Sequence, residues 1–188
     1  MRWKNDTKKS GAIFIVVTLT MTTLLFSGCT DETRYTADLN LIIPETEDYG
    51  IPIQQLEYVH ENDYVETEKN NPIYDISIPE YVFIRYNGTG VKKSITFFAL
   101  KLDSISQAED IFNRYKEDFL LHATEIENQE TFGDETFTSE IFLFGHSGYG
   151  LEFRYANVVI VMTGLNVELD TLLSVGQIIE NNIESNLN

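Results

Sequence analysis

A serine and a histidine stand side by side among glycines in the segment Gly145–Gly150, which has the sequence GHSGYG. This arrangement approaches the G-x-S-x-G nucleophile elbow of hydrolases, in which a histidine takes the proton of an attacking serine. The match fails because Tyr149 stands where the tight turn requires glycine, and because no histidine follows His146 in the chain. We therefore predict a glycine-rich hairpin loop with Ser147 at its tip and no catalytic residue in the segment.

Imidazole and carboxylate groups that could bind a divalent cation gather at His60, Glu61 and Asp63, with Glu57 nearby. Their spacing matches neither an EF-hand loop nor the H-E-x-x-H helix motif, since Tyr64 stands where the second histidine belongs. We predict a solvated acidic loop here, with no metal site and no cofactor. A serine- or cation-dependent hydrolase stays open as the alternative function.

The segment Gly88–Gly90 precedes two lysines but lacks the spacing of a phosphate-binding loop. Asn87 followed by Gly88 is instead a dipeptide typical of a β-hairpin turn. The triplet Asn87–Thr89 is also an N-glycosylation sequon, so Asn87 is a candidate glycosylation site if the chain is exported and the host is an archaeon or another organism that glycosylates proteins.

The composition excludes several classes of protein. The chain has 188 residues, with 13 basic and 30 acidic side chains and a formal net charge of -17. So acidic a chain repels phosphate backbones, which excludes nucleic acid as a partner. The single cysteine, Cys29, cannot form an intramolecular disulfide, and together with three scattered histidines it does not make a structural zinc site.

The first 28 residues have the three-part organisation of a secretory signal. Four basic residues lie in Met1–Ser10, an uncharged and mostly apolar run follows over Gly11–Phe26, and small residues precede Cys29. A permanent membrane span needs about twenty apolar residues, and this run is shorter. We therefore assign residues 1–28 to a signal peptide.

The segment Leu25–Cys29, with the sequence LFSGC, resembles the lipobox of prokaryotic membrane lipoproteins. The resemblance implies that Cys29 becomes the first residue and carries lipid chains such as palmitate, which would hold the protein at the outer face of the cell membrane. The mature chain would then keep 9 basic and 29 acidic residues, a net charge of -20. An ordinary secretory signal, or an uncleaved anchor with an incidental cysteine, is the alternative.

The mature chain divides into a polar tether over residues 29–38 and a single extracytoplasmic domain over residues 39–188. Leu39–Ile43 is a short apolar run that ends at Pro44 and suits a strand. The next stretch, residues 45–79, fits neither helical nor strand periodicity, and we expect loops there with one short element near residues 53–59.

Strands and then an amphipathic helix occur twice in the rest of the chain. The expected strands are 81–86, 91–102, 140–144, 151–155 and 157–163. Ser106 and Glu109 have the spacing of a helix-initiating capping box, and apolar residues recur at helical steps from Ala108 to Ala123 and from Leu172 to Ile183. We predict an α+β fold: a two-layer antiparallel sheet with two long amphipathic helices on one face, in ββα-ββα order.

Short motifs support a family resemblance for this domain. Gly133–Glu135, Phe153-Arg154 and Asn157–Val159, followed by an amphipathic C-terminal helix, resemble the layout of small extracytoplasmic lipoprotein and sensor domains of the Mog1/PsbP-like type. The resemblance implies a fold and no active site. We predict a non-enzymatic, lipid-anchored extracytoplasmic binding or accessory module, whose partners are the membrane, through the lipid, and a protein or small-molecule ligand.

Overall fold

The computed structural model describes residues 33–60, 80–88, 93–127, 130–143 and 145–187, and of residues 55–60 the backbone alone. These residues form one antiparallel sheet and two α-helices. The strands are β1 (Ile53–His60), β2 (Glu80–Gly88), β3 (Ser94–Lys101), β4 (Ala123–Glu125), β5 (Glu135–Leu143), β6 (His146–Tyr155) and β7 (Val158–Leu165), and the helices are α1 (Ile105–Leu120) and α2 (Leu169–Ser185). Two short 3-10 helices, Leu39–Ile42 and Thr46–Tyr49, precede β1.

The strand order in the sheet is β1-β2-β3-β7-β6-β5-β4. The hairpin predicted at Asn87 is confirmed, because Asn87 at the end of β2 pairs with Ser94 at the start of β3. The Gly88 amide closes this hairpin by donating to the Lys93 carbonyl oxygen over 2.8 Å.

The predicted two-layer fold, with both helices on one face in ββα-ββα order, is wrong. The chain order is βββα-ββββα. Each helix covers a different face of the sheet. The strands together contain more residues than the two helices. Ile179 of α2 belongs to one buried cluster, whereas Phe112 of α1 belongs to another with residues of β5 and β7. The physical reason is visible in β7, where all five residues of 158–162 are buried. Neighbouring strand residues point to opposite faces, so such a run needs cover on both.

The predicted capping box at Ser106 is wrong, because the N-cap of α1 lies two residues earlier. Ser104, not Ser106, is the N-cap, and its hydroxyl oxygen accepts a hydrogen bond from the Gln107 amide over 3.1 Å. The predicted apolar stripe is buried along its first half, at Ala108, Ile111, Phe112 and Tyr115. The helix stops at Leu120, and Ala123 already belongs to β4.

The strand predicted at Leu39–Ile43 is wrong, because Leu39–Ile42 is a 3-10 helix capped by the Asp38 carboxylate, which accepts from the Asn40 amide. The tether predicted over residues 29–38 is also too long. The compact unit begins at Thr33, and Tyr35 is buried. Asn157 holds Tyr35 by accepting from its amide over 2.7 Å and donating to its carbonyl oxygen over 3.2 Å.

The motif residues Gly133–Glu135 and Arg154 meet at the same end of the sheet as Asn157. Arg154 forms ion pairs of 2.9 Å with both Asp134 and Glu135, and it donates to the Ala156 carbonyl oxygen. Gly133 has a φ of 57°, and a Cβ atom there would lie 2.3 Å from the Arg154 carbonyl oxygen, so only glycine fits. We call this end of the sheet, where the chain enters at residue 33, the entry end.

Candidate functional site

Exposed large apolar side chains concentrate at the corner of the sheet opposite the entry end. Leu121 is 73% exposed and Phe142 is 70% exposed, and their chain neighbours Leu120 and Leu143 are exposed as well. We call these four residues the corner patch. In the described part of the chain, the one other large apolar side chain of this kind is Leu41, on the first 3-10 helix.

An open pocket of about 320 Å³ lies within the corner patch. We call it the corner pocket. Its apolar lining includes Leu121 and Phe142, and its polar lining is His122, Thr124, Glu140 and Ser147. The site therefore combines apolar side chains, which are easily desolvated, with a few polar groups that could fix the orientation of a ligand.

Three elements bring these residues together. After α1 ends, the His122 amide donates to the Phe119 carbonyl oxygen over 2.9 Å, which turns the chain towards β4. The register of β4 against β5 then places Thr124 beside Glu140. On the other side, the β5–β6 hairpin pairs Phe142 with Ser147. Paired residues of an antiparallel sheet point to the same face, so these side chains share one surface.

The glycine-rich loop predicted around Ser147 is wrong. Leu143 pairs with His146, so β6 has already begun and Ser147 is a strand residue and not a loop tip. Gly148 also lies inside β6, where a Cβ atom would lie 2.0 Å from the Gly164 carbonyl oxygen. Gly148 therefore allows close packing of β6 against β7, whereas Gly145, with a φ of 80°, serves the turn before β6.

The structure brings one histidine to the same pocket as the serine, and it is His122 and not the adjacent His146. The Nδ1 atom of His146 lies 3.2 Å from the side-chain nitrogen Nδ2 of Asn166. Both Ser147 and His122 are exposed, and within the described residues no hydrogen bond joins their side chains. A serine nucleophile needs its base within about 2.6 to 3.2 Å, so the pocket contains the residue types of a catalytic pair without the engaged geometry.

The other candidates from the sequence are not gathered at this site. Cys29, Glu61 and Asp63 lie outside the described residues, and of His60 the structure shows only that its backbone pairs in β1 with Val82. Asn87 is exposed at the end of β2, at the opposite side of the sheet, whereas the sequon residue Thr89 lies outside the described residues. No group of three potential metal ligands occurs in the ranges that the structure describes.

A buried carboxyl group, which the sequence reasoning missed, lies beneath α1. Glu152 on β6 has no exposed surface, and no described residue donates a hydrogen bond to either of its carboxyl oxygens. Burial raises the pKa of Glu152 to about 8, with a smaller lowering by Lys116 and a raising by Asp118. In a sheet with one open face, strand alternation would place a glutamate on the exposed side, so nothing in the sequence indicated a buried carboxyl group here.

Comparisons with known proteins identify the fold and no family. No family model matches the chain, and no curated protein matches it in sequence, so the Mog1/PsbP-like resemblance stays a prediction. None of the described helices is long and apolar enough to span a membrane. The crystal structure of the extracellular domain of PknH from Mycobacterium tuberculosis is similar, with a TM-score of 0.57 and 9% identity over 78% of this chain and 94% of that chain. The chain thus shares its fold with an extracellular domain of a bacterial protein.

Proposed function

We propose that this protein is a lipid-anchored, extracytoplasmic binding module, and that a protein partner docks at the corner patch. The lipobox resemblance at Cys29 supports the anchor, and the shared fold with an extracellular domain is consistent with a place outside the cytoplasm. The module is non-enzymatic in this proposal. Its function is to hold a partner close to the membrane.

The observation that carries the docking site is the exposure of Leu121 and Phe142 around the corner pocket. A single exposed apolar side chain needs no explanation, but two large ones that line the same concavity, as Leu121 and Phe142 do, are typical of an interaction site. Aromatic and other large side chains that become buried on binding supply most of the binding free energy at such sites. Phe142 is therefore the expected anchor, with Leu121 beside it.

The position of the corner patch argues for a protein partner and against the bilayer. Strand β6 begins at the patch and ends beside Asn157, which holds Tyr35 at the entry end. Ten strand residues span about 30 Å. The chain from Cys29 to Thr33 reaches about 14 Å at most. An anchor at Cys29 would therefore keep Thr33 within that reach of the lipid, whereas the corner patch lies at the other end of β6.

The charge near the corner patch indicates the chemistry of the partner. Glu140 lines the corner pocket, Glu125 lies on β4, and Glu117 and Asp118 precede the end of α1. With a mature net charge of -20, a second copy of this chain or an anionic lipid surface would be repelled. We therefore expect a segment with apolar side chains flanked by lysine or arginine.

Photo-crosslinking in the native host tests this function. A benzoylphenylalanine placed at Phe142 is expected to give one discrete adduct whose partner peptide is basic and apolar. The same group at Leu41, which is also exposed, is the matched control and should give none. Adducts with lipid, adducts with a second copy of the chain, or equal yields at the two positions would each contradict the proposal.

A serine hydrolase is the second candidate, favoured by one observation: Ser147 and His122 line the same pocket. We expect no labelling of Ser147 by a fluorophosphonate probe, because the hydroxyl group is not hydrogen-bonded to the imidazole. The Ser147→Ala protein should crosslink at position 142 as well as the parent does. If the parent protein is labelled and the labelling disappears in both Ser147→Ala and His122→Ala, the protein is a hydrolase and the binding-module proposal is wrong.

A further inference from the structure

The carboxyl group of Glu152 is enclosed by apolar and neutral neighbours on the two adjoining strands. In the sheet register Glu152 pairs with Phe137 of β5 and with Val161 of β7, and both of these belong to the buried cluster under α1. The nearby Ser139 hydroxyl is also fully buried and has no hydrogen-bond partner among the described residues. An ionised carboxylate at this place would be shielded from water and would accept no hydrogen bond from the described residues as they are arranged, so the group is neutral in the described arrangement.

One cation lies next to this neutral group. The Lys116 ammonium group on α1 is 5.0 Å from the centre of the Phe137 ring, and Phe137 is the direct cross-strand neighbour of Glu152. In the described arrangement Lys116 forms an ion pair of 3.3 Å with Glu125 of β4. That pair connects α1 to β4 across the turn that carries Leu120 and Leu121. Lys116 therefore lies between an exposed carboxylate that it pairs with and a buried carboxyl group that it does not.

Among the described residues, the other charged groups near Glu152 do not provide a second cation that could pair with it. On α1, Asp118 opposes ionisation of Glu152. On β6 itself, Arg154 points to the same face but is held by Asp134 and Glu135 at the entry end. The cross-strand partners from β5 and β7 are uncharged. Lys116 is thus the group that would respond if the carboxyl proton were lost.

We propose that Glu152 is a proton-controlled latch on the corner patch: loss of its proton to solvent draws Lys116 from Glu125 to the buried carboxylate and releases the turn at Leu120 and Leu121 from β4. The part of this proposal that concerns partner binding rests on the proposed function. In the protonated state α1 and β4 are tied together and the patch keeps the described shape. In the ionised state the tie is lost and the partner binds more weakly.

The latch has a definite pH direction. The pKa of Glu152 is raised by burial to about 8 in the folded protein, whereas a carboxyl group in the unfolded chain titrates near its ordinary value. The folded state therefore holds one more proton than the unfolded state between about pH 4.5 and pH 8. Through that interval this group makes the unfolding equilibrium constant rise up to about tenfold per pH unit. The latch itself opens as the pH passes about 8.

Proton–nitrogen correlation spectra of the full-length, ¹⁵N-labelled protein in detergent, recorded from pH 6 to 9.5, test the latch. We expect amide signals of residues 116–126 to move with one common midpoint near pH 8, while signals of α2 do not. In Glu152→Gln, which is isosteric with the protonated side chain, this transition should be absent. Glu117→Gln, an exposed neighbour of Lys116 on α1, is the matched control and should keep it.

A second variant keeps the test decisive if Glu152→Gln does not fold. In Lys116→Met the β4 signals should no longer follow the transition, and the midpoint of the remaining transition should rise because a stabilising cation is gone. A transition that persists in Glu152→Gln, or one that Lys116→Met leaves unchanged in β4, overturns the latch. These spectra need no partner, so the latch can fail while crosslinking at Phe142 succeeds, and crosslinking can fail while the latch is seen.

Discussion

Replacing Phe112 or Ile179 by alanine is expected to lower the free energy of unfolding by about 2 to 5 kcal/mol, through lost apolar burial and the cavity left behind. Phe112 is 2% exposed and Ile179 is fully buried. Each residue lies on the covered side of its helix, Phe112 under α1 and Ile179 under α2. Urea-induced unfolding at fixed pH gives the two values.

The corrected fold adds a sharper expectation for the double variant. Because the sheet separates Phe112 from Ile179, the two losses should add to within about 0.5 kcal/mol. Leu120→Ala, at an exposed position of α1, is the control and should change stability by no more than about 0.5 kcal/mol. A strongly non-additive double variant would show that the helices share one core after all. Either single variant melting within about a degree of the parent would show that its helix face is misassigned.

Replacing Cys29 by alanine is expected to remove the lipid and, with it, membrane retention of the mature protein. Two acyl chains hold a protein on a bilayer stably, whereas a domain without them has only a weak affinity for it. The parent chain should have an intact mass that corresponds to residues 29–188 plus acyl groups. Fractionation and intact-mass measurement of the two proteins check this directly.

The alternative to lipidation makes the opposite prediction. If the apolar run over residues 11–26 is an uncleaved anchor, Cys29→Ala stays in the membrane and its mass differs from that of the parent only by the substitution. Ser27→Thr, a mild change two residues before Cys29, is a control in which retention and lipidation should persist. A parent chain that still contains residues 1–28 would refute the lipid anchor.

Periodicity predicted both helices and several strands, because local patterns decide them, but it missed β4 and placed the starts of β5 and β6 five residues too late. The apolar steps through Ile111 and Ile179 identified both helices, and Asn87 identified a hairpin. Periodicity could not tell which face of the sheet each helix covers. The evidence for two covered faces was the unbroken apolar run at 158–162, which we interpreted only as a strand.

Local competition explains the misplaced boundaries. Ser104 and Ser106 are both suitable N-caps. Which of them caps the helix depends on where β3 ends, and it ends at Lys101. Tyr35 looked like part of a polar tether because its partner, Asn157, is 122 residues away in the chain. Contacts of that range leave no periodic signal in a single sequence.

The candidate site was largely invisible in the sequence for the same reason. Leu121 and Phe142 belong to apolar stretches that predict burial, and their exposure follows only from the short β4 and from the end of α1. Glu152 is the opposite case: a charged residue in a strand predicts exposure, but this side chain is buried. The two sites are thus the places where local pattern and tertiary environment disagree, which is where functional residues are expected.

The affinity of the partner captured at Phe142 tests the central claim most directly. Isothermal titration calorimetry at neutral pH should compare the parent chain with Leu121→Ser/Phe142→Ser and with Leu41→Ser. If the corner patch is the docking site, the double variant loses about 30-fold or more in affinity, as expected when anchor residues are removed, and Leu41→Ser binds as the parent does. An unchanged affinity of the double variant, or an equal loss in Leu41→Ser, would contradict the account.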